Sequence, residues 1–231
     1  EARVVAHLAR CEGLIELFGD ATRDVHMENA FRIFNKPIKE ITSTERYLAK
    51  QVVHAVNYGE GEETLAQSIN EDAEVTGVSI STGEAKYLIE QYFALYPEIK
   101  ENFWAGVRKK LQESRTLTTP FGHKRMFYAR WGPDLFRRAY AFIPQSLSGV
   151  MGRRALVACY REIEVGRPEW GAQVLLNVHD SVMMQCKEEV VGECVGEMER
   201  VMKIPLTIHG REVAIPTDCK IGWNWARESE E

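Results

Sequence analysis

An α+β fold is predicted by two features of the 231-residue sequence. Long stretches of helical apolar spacing run through most of the chain, and short apolar runs appear as pairs flanking tight polar turns. No internal repeat or low-complexity tract competes with this reading. The 45% hydrophobic share suits a packed core, and no stretch approaches the roughly 18 apolar residues that a membrane span needs.

The elements follow in chain order. Residues 3–19 carry helical periodicity through Val4, Leu8, Leu14, Ile15 and Phe18, with a turn at Gly19-Asp20. Asp24 to Phe34 reads as a further helix. Thr42 and Glu45 form the Thr-x-x-Glu capping box of a helix stopping near Gly59, because each side chain can satisfy an unpaired N–H of the other's backbone. Residues 70–80 read as a loop or small excursion. Ser81 and Glu84 repeat the capping box ahead of a long helix that Pro97 should break. Thr116 to Tyr128 reads as two short strands around Pro120-Phe121-Gly122, and residues 134–163 as helical with an interruption at Pro144. Val174–Val178 and Val182–Met184 should form a hairpin with its polar tip at His179-Asp180, followed by a helix over 188–202. Residues 205–221 should form a last strand pair turning at His209-Gly210.

The five cysteines contain no Cys-x-x-Cys pair, so neither a zinc site nor a disulfide framework is suggested, and a reducing compartment is expected. The net charge of −5 is unevenly spread. Residues 100–167 hold 14 Lys and Arg against 5 Asp and Glu, an excess of +9, which leaves −14 for the rest. Such segregation fits a basic face for phosphates, or simply a solvated Arg-rich helix.

Two places could carry chemistry. Arg46, Lys50, His54 and Tyr58 recur every four residues, so they share one helix face. Cations one turn apart, continued by flat rings, suit a triphosphate with its sugar and base. On spacing alone the same face also fits an ordinary surface helix. The second place is Asp180. A carboxylate at a tight turn between apolar strands is firmly held and projects outward, as a magnesium ligand needs, although an Asp in a turn is also a common turn residue.

Taken in order, the motifs resemble the family A DNA polymerases. Arg46-x-x-x-Lys50 followed by Tyr58-Gly59 resembles the fingers-helix motif, and Val178-His179-Asp180 resembles the third palm motif. Asp24-Val25-His26 is similar to an Asp-Ile-His segment. Arg137 and Gln145-Ser146 resemble an Arg-x7-Gln pair, and Lys220-Ile221-Gly222-Trp223-Asn224-Trp225 a closing signature. Glu1-Ala2-Arg3 resembles the tail of the first palm motif. The resemblance implies a palm with an antiparallel sheet and helical fingers, divided as a palm segment over 1–34, fingers over 35–115 and palm again over 116–231. It also implies that the chain begins after the first catalytic aspartate, as an N-terminally incomplete and catalytically inactive piece.

By the same resemblance, the activity is template-directed deoxynucleotidyl transfer to a primer 3′-end with two Mg²⁺ ions, and Asp180 is a metal ligand. Lys50 acts on the triphosphate and its leaving group. Arg46 and His26 hold triphosphate oxygens, Tyr58 packs beside the nascent base pair, and Glu1 lies under the sugar. Arg137, Gln145 and His179 touch the template–primer duplex. The partners would be template–primer DNA and deoxynucleoside triphosphates, with no membrane. The protein would be a monomer in the cytoplasm of a bacterium or phage-infected cell.

Three positions depart from the family pattern: His54 stands for an aromatic residue facing the sugar, Ser181 for Glu, and Ala141 for Asn. A single-subunit RNA polymerase shares several of these motifs but not Glu1 or the closing signature, and preference for deoxynucleotides separates the two. A non-catalytic DNA-binding remnant is the third alternative.

Overall fold

The computed structural model of the chain describes residues Glu1–Asn224. Their contacts divide into two compact units, Glu1–Leu147 with Thr207–Val213, and Ser148–Leu206 with the residues from Ala214 on.

The first unit is mainly helical. The expected helix over 3–19 is two helices, α1 (Ala2–Ala9) and α2 (Glu12–Gly19), because Arg10 takes a left-handed conformation and its N–H closes α1 on Ala6 and His7. Asp24 caps α3 (Val25–Phe34) by accepting from the N–H groups of His26 and Met27. α4 (Ser43–Asn57) opens with the Thr42/Glu45 box and ends at Tyr58, ahead of Gly59 in the left-handed region. The loop or excursion expected over 70–80 is partly helical: α5 (Glu62–Glu71) reaches into it and α6 (Ala73–Thr76) lies within it, up to left-handed Gly77. The Asn70 amide then donates to the Ile80 carbonyl at 3.0 Å and accepts from its N–H at 2.9 Å, closing the excursion.

The Ser81/Glu84 box opens α7 (Thr82–Leu95). Past Pro97 a π-helical stretch, Ile99–Trp104, leads into α8 (Ala105–Ser114). The strands β1 (Thr116–Thr118) and β2 (Lys124–Met126) pair antiparallel as predicted. Leu14, Leu17, Ile33, Ile69, Tyr92, Tyr96, Leu111 and Tyr140 are fully buried in the core of this unit. Buried Asn29 accepts from the Tyr96 hydroxyl at 2.7 Å.

The division falls within α9 (Pro133–Ala158), which contains Pro144 without interruption. One missing N–H costs less than exposing Leu135, Ala139, Leu147 and Val150, which the helix buries. A π-helical stretch follows, Cys159–Val165.

In the second unit β3 (Gln173–Val178) and β4 (Ser181–Gln185) form the expected hairpin, with an irregularity between Val174 and Leu176. There the Glu164 carboxylate accepts from the Val174 N–H at 2.7 Å. α10 (Val191–Val201) follows a 3₁₀ turn at Glu188–Val190. The small core here gathers Cys159, Ile163, Ala172, Cys194 and Val201, with Cys186 packed against it. Three cysteines far apart in sequence are therefore neighbours. The last strand pair is shorter than predicted, β5 (Thr207–Ile208) and β6 (Arg211–Glu212), but turns at His209-Gly210 as expected. The strands form three separate two-stranded sheets among the described residues. No helix is long and apolar enough to cross a membrane among those residues.

Candidate nucleotide and nucleic-acid site

In the first unit, helix α4 fixes a candidate nucleotide site through its opposite face. Leu48, Ala49, Val52, Val53 and Val56 are buried, each large side chain contributing roughly 1.5–3 kcal/mol. Turned away from them, Arg46 is half-buried while Lys50 and His54 are exposed. Tyr58 falls one residue past the helix end, so it shares the face only approximately.

α3 packs on α4 and supplies the remaining groups. The Asp24 carboxylate serves both helices. Its Oδ1 accepts the capping N–H groups of His26 at 2.8 Å and Met27 at 3.1 Å. Its Oδ2 accepts from Arg46 Nε at 2.8 Å and Nη2 at 2.7 Å. Burial pushes this carboxyl up, but the Arg46 bond and the two N–H groups outweigh it and hold it below its usual range.

His26 is pushed down to about 4, first by burial and then by the charges of Arg46, His54 and Lys50, with Asp24 opposing. Its Nδ1 is buried without a hydrogen-bond partner. His54 keeps an exposed surface, yet the packing around its ring and the charge of Lys50 lower its proton affinity, with Glu1 opposing. His26 thus feels the charges of Asp24, Arg46, Lys50 and His54, and His54 those of Lys50 and Glu1. Lys50 has no ion-pair partner among the described residues, which leaves its ammonium available to an anion.

Gly59 explains how the end of α4 is seated. A Cβ built there would lie 2.8 Å from a Tyr140 ring carbon, and its φ of +70° suits glycine. Tyr140 stacks on Trp104 with ring centroids 4.7 Å apart. Sequence reasoning missed both rings as the floor under Tyr58-Gly59, since nothing in their spacing points to α4. Arg137 pairs with Asp134 and lies within the field of Glu60, whose carboxyl is raised by burial against the pull of Arg137. Gln145 is exposed on α9.

The basic segment is less free than its count suggests. Arg108 donates to the Tyr140 hydroxyl at 2.5 Å and lies over Phe136. Arg115 donates to the Phe127 and Ala129 carbonyls. Arg125 lies over Phe127 and Lys100 over Phe93. Lys109 and Lys124 have no partner among the described residues.

The second unit carries a candidate feature of its own, the β3–β4 tip. His179 takes a left-handed φ of 52°, which makes the two-residue turn possible. The Ser181 hydroxyl donates to the Val178 carbonyl at 2.8 Å, and the Asn177 amide donates to the Ser181 carbonyl at 2.8 Å. Asp180 is exposed and has no hydrogen bond or ion pair among the described residues. As one hard oxygen donor it suits magnesium, but no group of three His, Cys, Asp or Glu able to hold a metal ion is found among the described residues. These groups do not by themselves make a complete metal site. Within the closing signature, Ile221 and Trp223 are strongly exposed, and Trp225 lies outside the described residues.

A sequence profile of DNA polymerase family A matches residues 1–227. The chain is 28% identical to the thermostable DNA polymerase I of Thermus aquaticus over 100% of its own length and 26% of that protein. It is 25% identical to DNA polymerase I of Pseudomonas aeruginosa over 97% of its length and 24% of that protein. It thus spans about a quarter of the length of these curated relatives. Among solved structures it resembles the POL domain of Pol1 from M. smegmatis in complex with DNA primer-template and dNTP. That likeness has a TM-score of 0.74 at 26% identity and covers 87% of this chain and 34% of that one. The ordered motifs, the α+β fold and a match over nearly every residue agree: the chain belongs to DNA polymerase family A.

Proposed function

We propose that this chain carries the triphosphate-holding and duplex-contacting part of a template-directed DNA polymerase, which adds deoxynucleotides to a primer 3′-end. The observation that carries the reading is the packing of α3 on α4, where Asp24 fixes the Arg46 guanidinium beside His26 and on the helix face that carries Lys50 and His54. Asp24 fixes Arg46 by its Nε and one Nη2 proton, and the remaining guanidinium protons are directed to phosphate oxygens. Lys50 lies one helical turn further along, where its charge meets the β- and γ-phosphates and donates to the leaving oxygens. His26, neutral at pH 7, contributes an uncharged imidazole that hydrogen-bonds the phosphate chain. Glu1 and His54 flank the sugar, and Tyr58 supports the new base pair.

Arg137, Gln145 and His179 contact the template–primer duplex, with Arg137 exchanging Asp134 for a phosphate or base edge. Asp180 lends one carboxylate to magnesium, the ion that the family implies. We assign the palm to 1–34 and 116–231 and the fingers to 35–115, with the protein acting as a monomer. The bacterial origin of the relatives supports a cytoplasmic site of action.

The test is equilibrium binding of a deoxynucleoside triphosphate. Lys50→Ala should weaken it by at least about tenfold, since a charge-assisted contact is worth roughly 1.5–3 kcal/mol. Binding left unchanged by Lys50→Ala and by Arg46→Ala would refute the assignment. A matched ribonucleotide bound and incorporated equally well would favour an RNA polymerase instead.

A further inference from the structure

We propose that the cavity between α1, α2 and the β5–β6 turn binds a small phosphoryl oxyanion, orthophosphate or pyrophosphate. The cavity of about 210 Å³ is lined by His7, Arg10, Ile15, Ile208, His209 and Arg211, all in the first unit. That volume equals about seven waters at ~30 Å³ each, which is too small for a drug-sized ligand and ample for one or two phosphoryl groups.

Its lining is chemically one-sided. Four of the six residues are Arg or His, and the other two form an apolar wall. Arg10 is exposed at the left-handed end of α1, and its guanidinium has no partner among the described residues. Arg211 gives Nη1 to Glu12 at 2.6 Å and keeps its other donors. His209 is also left-handed, with a φ of 50°, and its Nε2 donates to the Leu8 carbonyl at 3.3 Å. Two strained non-glycine residues thus present their side chains at one cavity.

His7 supplies a second line of argument. The ring lines the cavity while its Nδ1 is buried without a partner, so any hydrogen bond to an anion there falls to the other edge of the imidazole. Burial, then the charges of Arg3 and Arg211, lower its proton affinity, and only Glu12 opposes. The region around His7 is therefore net positive, with Glu12 as its one named counter-charge. A dianion fits it, whereas a metal cation would meet the guanidinium groups of Arg10 and Arg211 against that one carboxylate.

The experiment follows the His7 ring resonances by NMR in the 231-residue chain titrated with sodium phosphate, sodium pyrophosphate or sodium chloride of equal ionic strength. The expected result is a saturable shift with a phosphoryl anion and a rise in the His7 titration midpoint toward the ordinary imidazole value. Arg10→Gln should weaken binding by about tenfold, because one charge-assisted contact is lost. Arg10 has no structural partner, so this variant keeps the test available if Arg211→Gln disturbs folding through Glu12. Tighter binding of pyrophosphate identifies that anion as the occupant, and tighter binding of orthophosphate identifies the single phosphoryl group. A shift matched by chloride, meaning an adventitious ion only, overturns the proposal. So does binding indifferent to Arg10→Gln, or a His7 shift produced by a short DNA duplex and by neither anion.

Discussion

Two aspartates show how differently this chain treats its two candidate regions. Asp24 is held at every lone-pair direction it can use: it caps α3 and fixes Arg46 on α4. Asp180 stands exposed at the tip of a two-stranded ribbon and bonds to nothing among the described residues. The strand leading to it also exposes Leu175, Leu176 and Val178 at 45%, 43% and 39%. A carboxylate used to organise protein is bound by protein, while Asp180 is left unbound, as its proposed role as a metal ligand requires. The same substitution should therefore damage stability in one region and activity in the other.

The largest expected effect tests the Asp180 side. Asp180→Asn keeps a good turn residue and removes only the charge. Melting temperature and triphosphate binding should stay near wild type, while, in a form extended upstream of Glu1 to supply the first aspartate the family implies, kcat for primer extension falls by about a thousandfold or more, on the order of 4 kcal/mol. Near-normal extension by this variant would return Asp180 to the status of a turn residue.

Next comes Lys50, which belongs to the organised region yet is itself unpaired. Lys50→Ala should leave stability unchanged and impair both KM and kcat, by about 2 kcal/mol in kcat/KM, since its charge serves the triphosphate before and during bond breaking. A change confined to KM would make it a binding residue without a part in the transition state.

Asp24 sharpens the contrast. Asp24→Asn still caps α3 but cannot engage Arg46 as a carboxylate does. Triphosphate affinity should drop several-fold, about 1 kcal/mol, with little change in kcat. Asp24→Ala should add roughly 1 kcal/mol of lost stability by removing the cap as well, readable in urea unfolding. Equal stability of the Asn and Ala variants would mean that the cap is energetically silent.

Local signals made much of this visible beforehand. Both capping boxes, the stop at Gly59, the break at Pro97 and the His179-Asp180 turn are local rules, and the structure follows each. The i, i+4 face of α4 could be read because helical geometry alone brings Arg46, Lys50 and His54 together. The departures depend on the third dimension. Arg10 ends α1 with no Gly or Pro to announce it, and Pro144 stays helical because burial on either side outweighs one lost bond. Asp24–Arg46, 22 residues apart, and Gly59 against Tyr140 are long-range contacts that no spacing encodes. The grouping of Cys159, Cys186 and Cys194 arises in the same way from packing.

The smallest expected effect concerns His26, where the organised region should show its cost. Its folded-state value of about 4 lies below the ordinary value near 6.5, with burial the main cause. Between these values the unfolded chain binds a proton that the folded chain refuses. Stability should therefore be full above about pH 6.5 and decline as pH falls toward 4, the slope following the difference in bound protons. Because the ring is partly solvated, the loss amounts to about 1–2 kcal/mol. His54 titrates in the same direction and adds to the trend. His26→Gln keeps a hydrogen-bonding side chain without a proton to refuse, so its unfolding free energy should fall less between pH 7 and pH 5 than that of wild type. Denaturant unfolding at the two pH values measures this directly. If His26→Gln and wild type lose equal stability, the buried imidazole is not the group that senses acid. If instead a triphosphate flattens the wild-type pH dependence and not that of His26→Gln, the anion and the proton share this side chain, as an imidazole lying among Arg46, Lys50 and His54 requires.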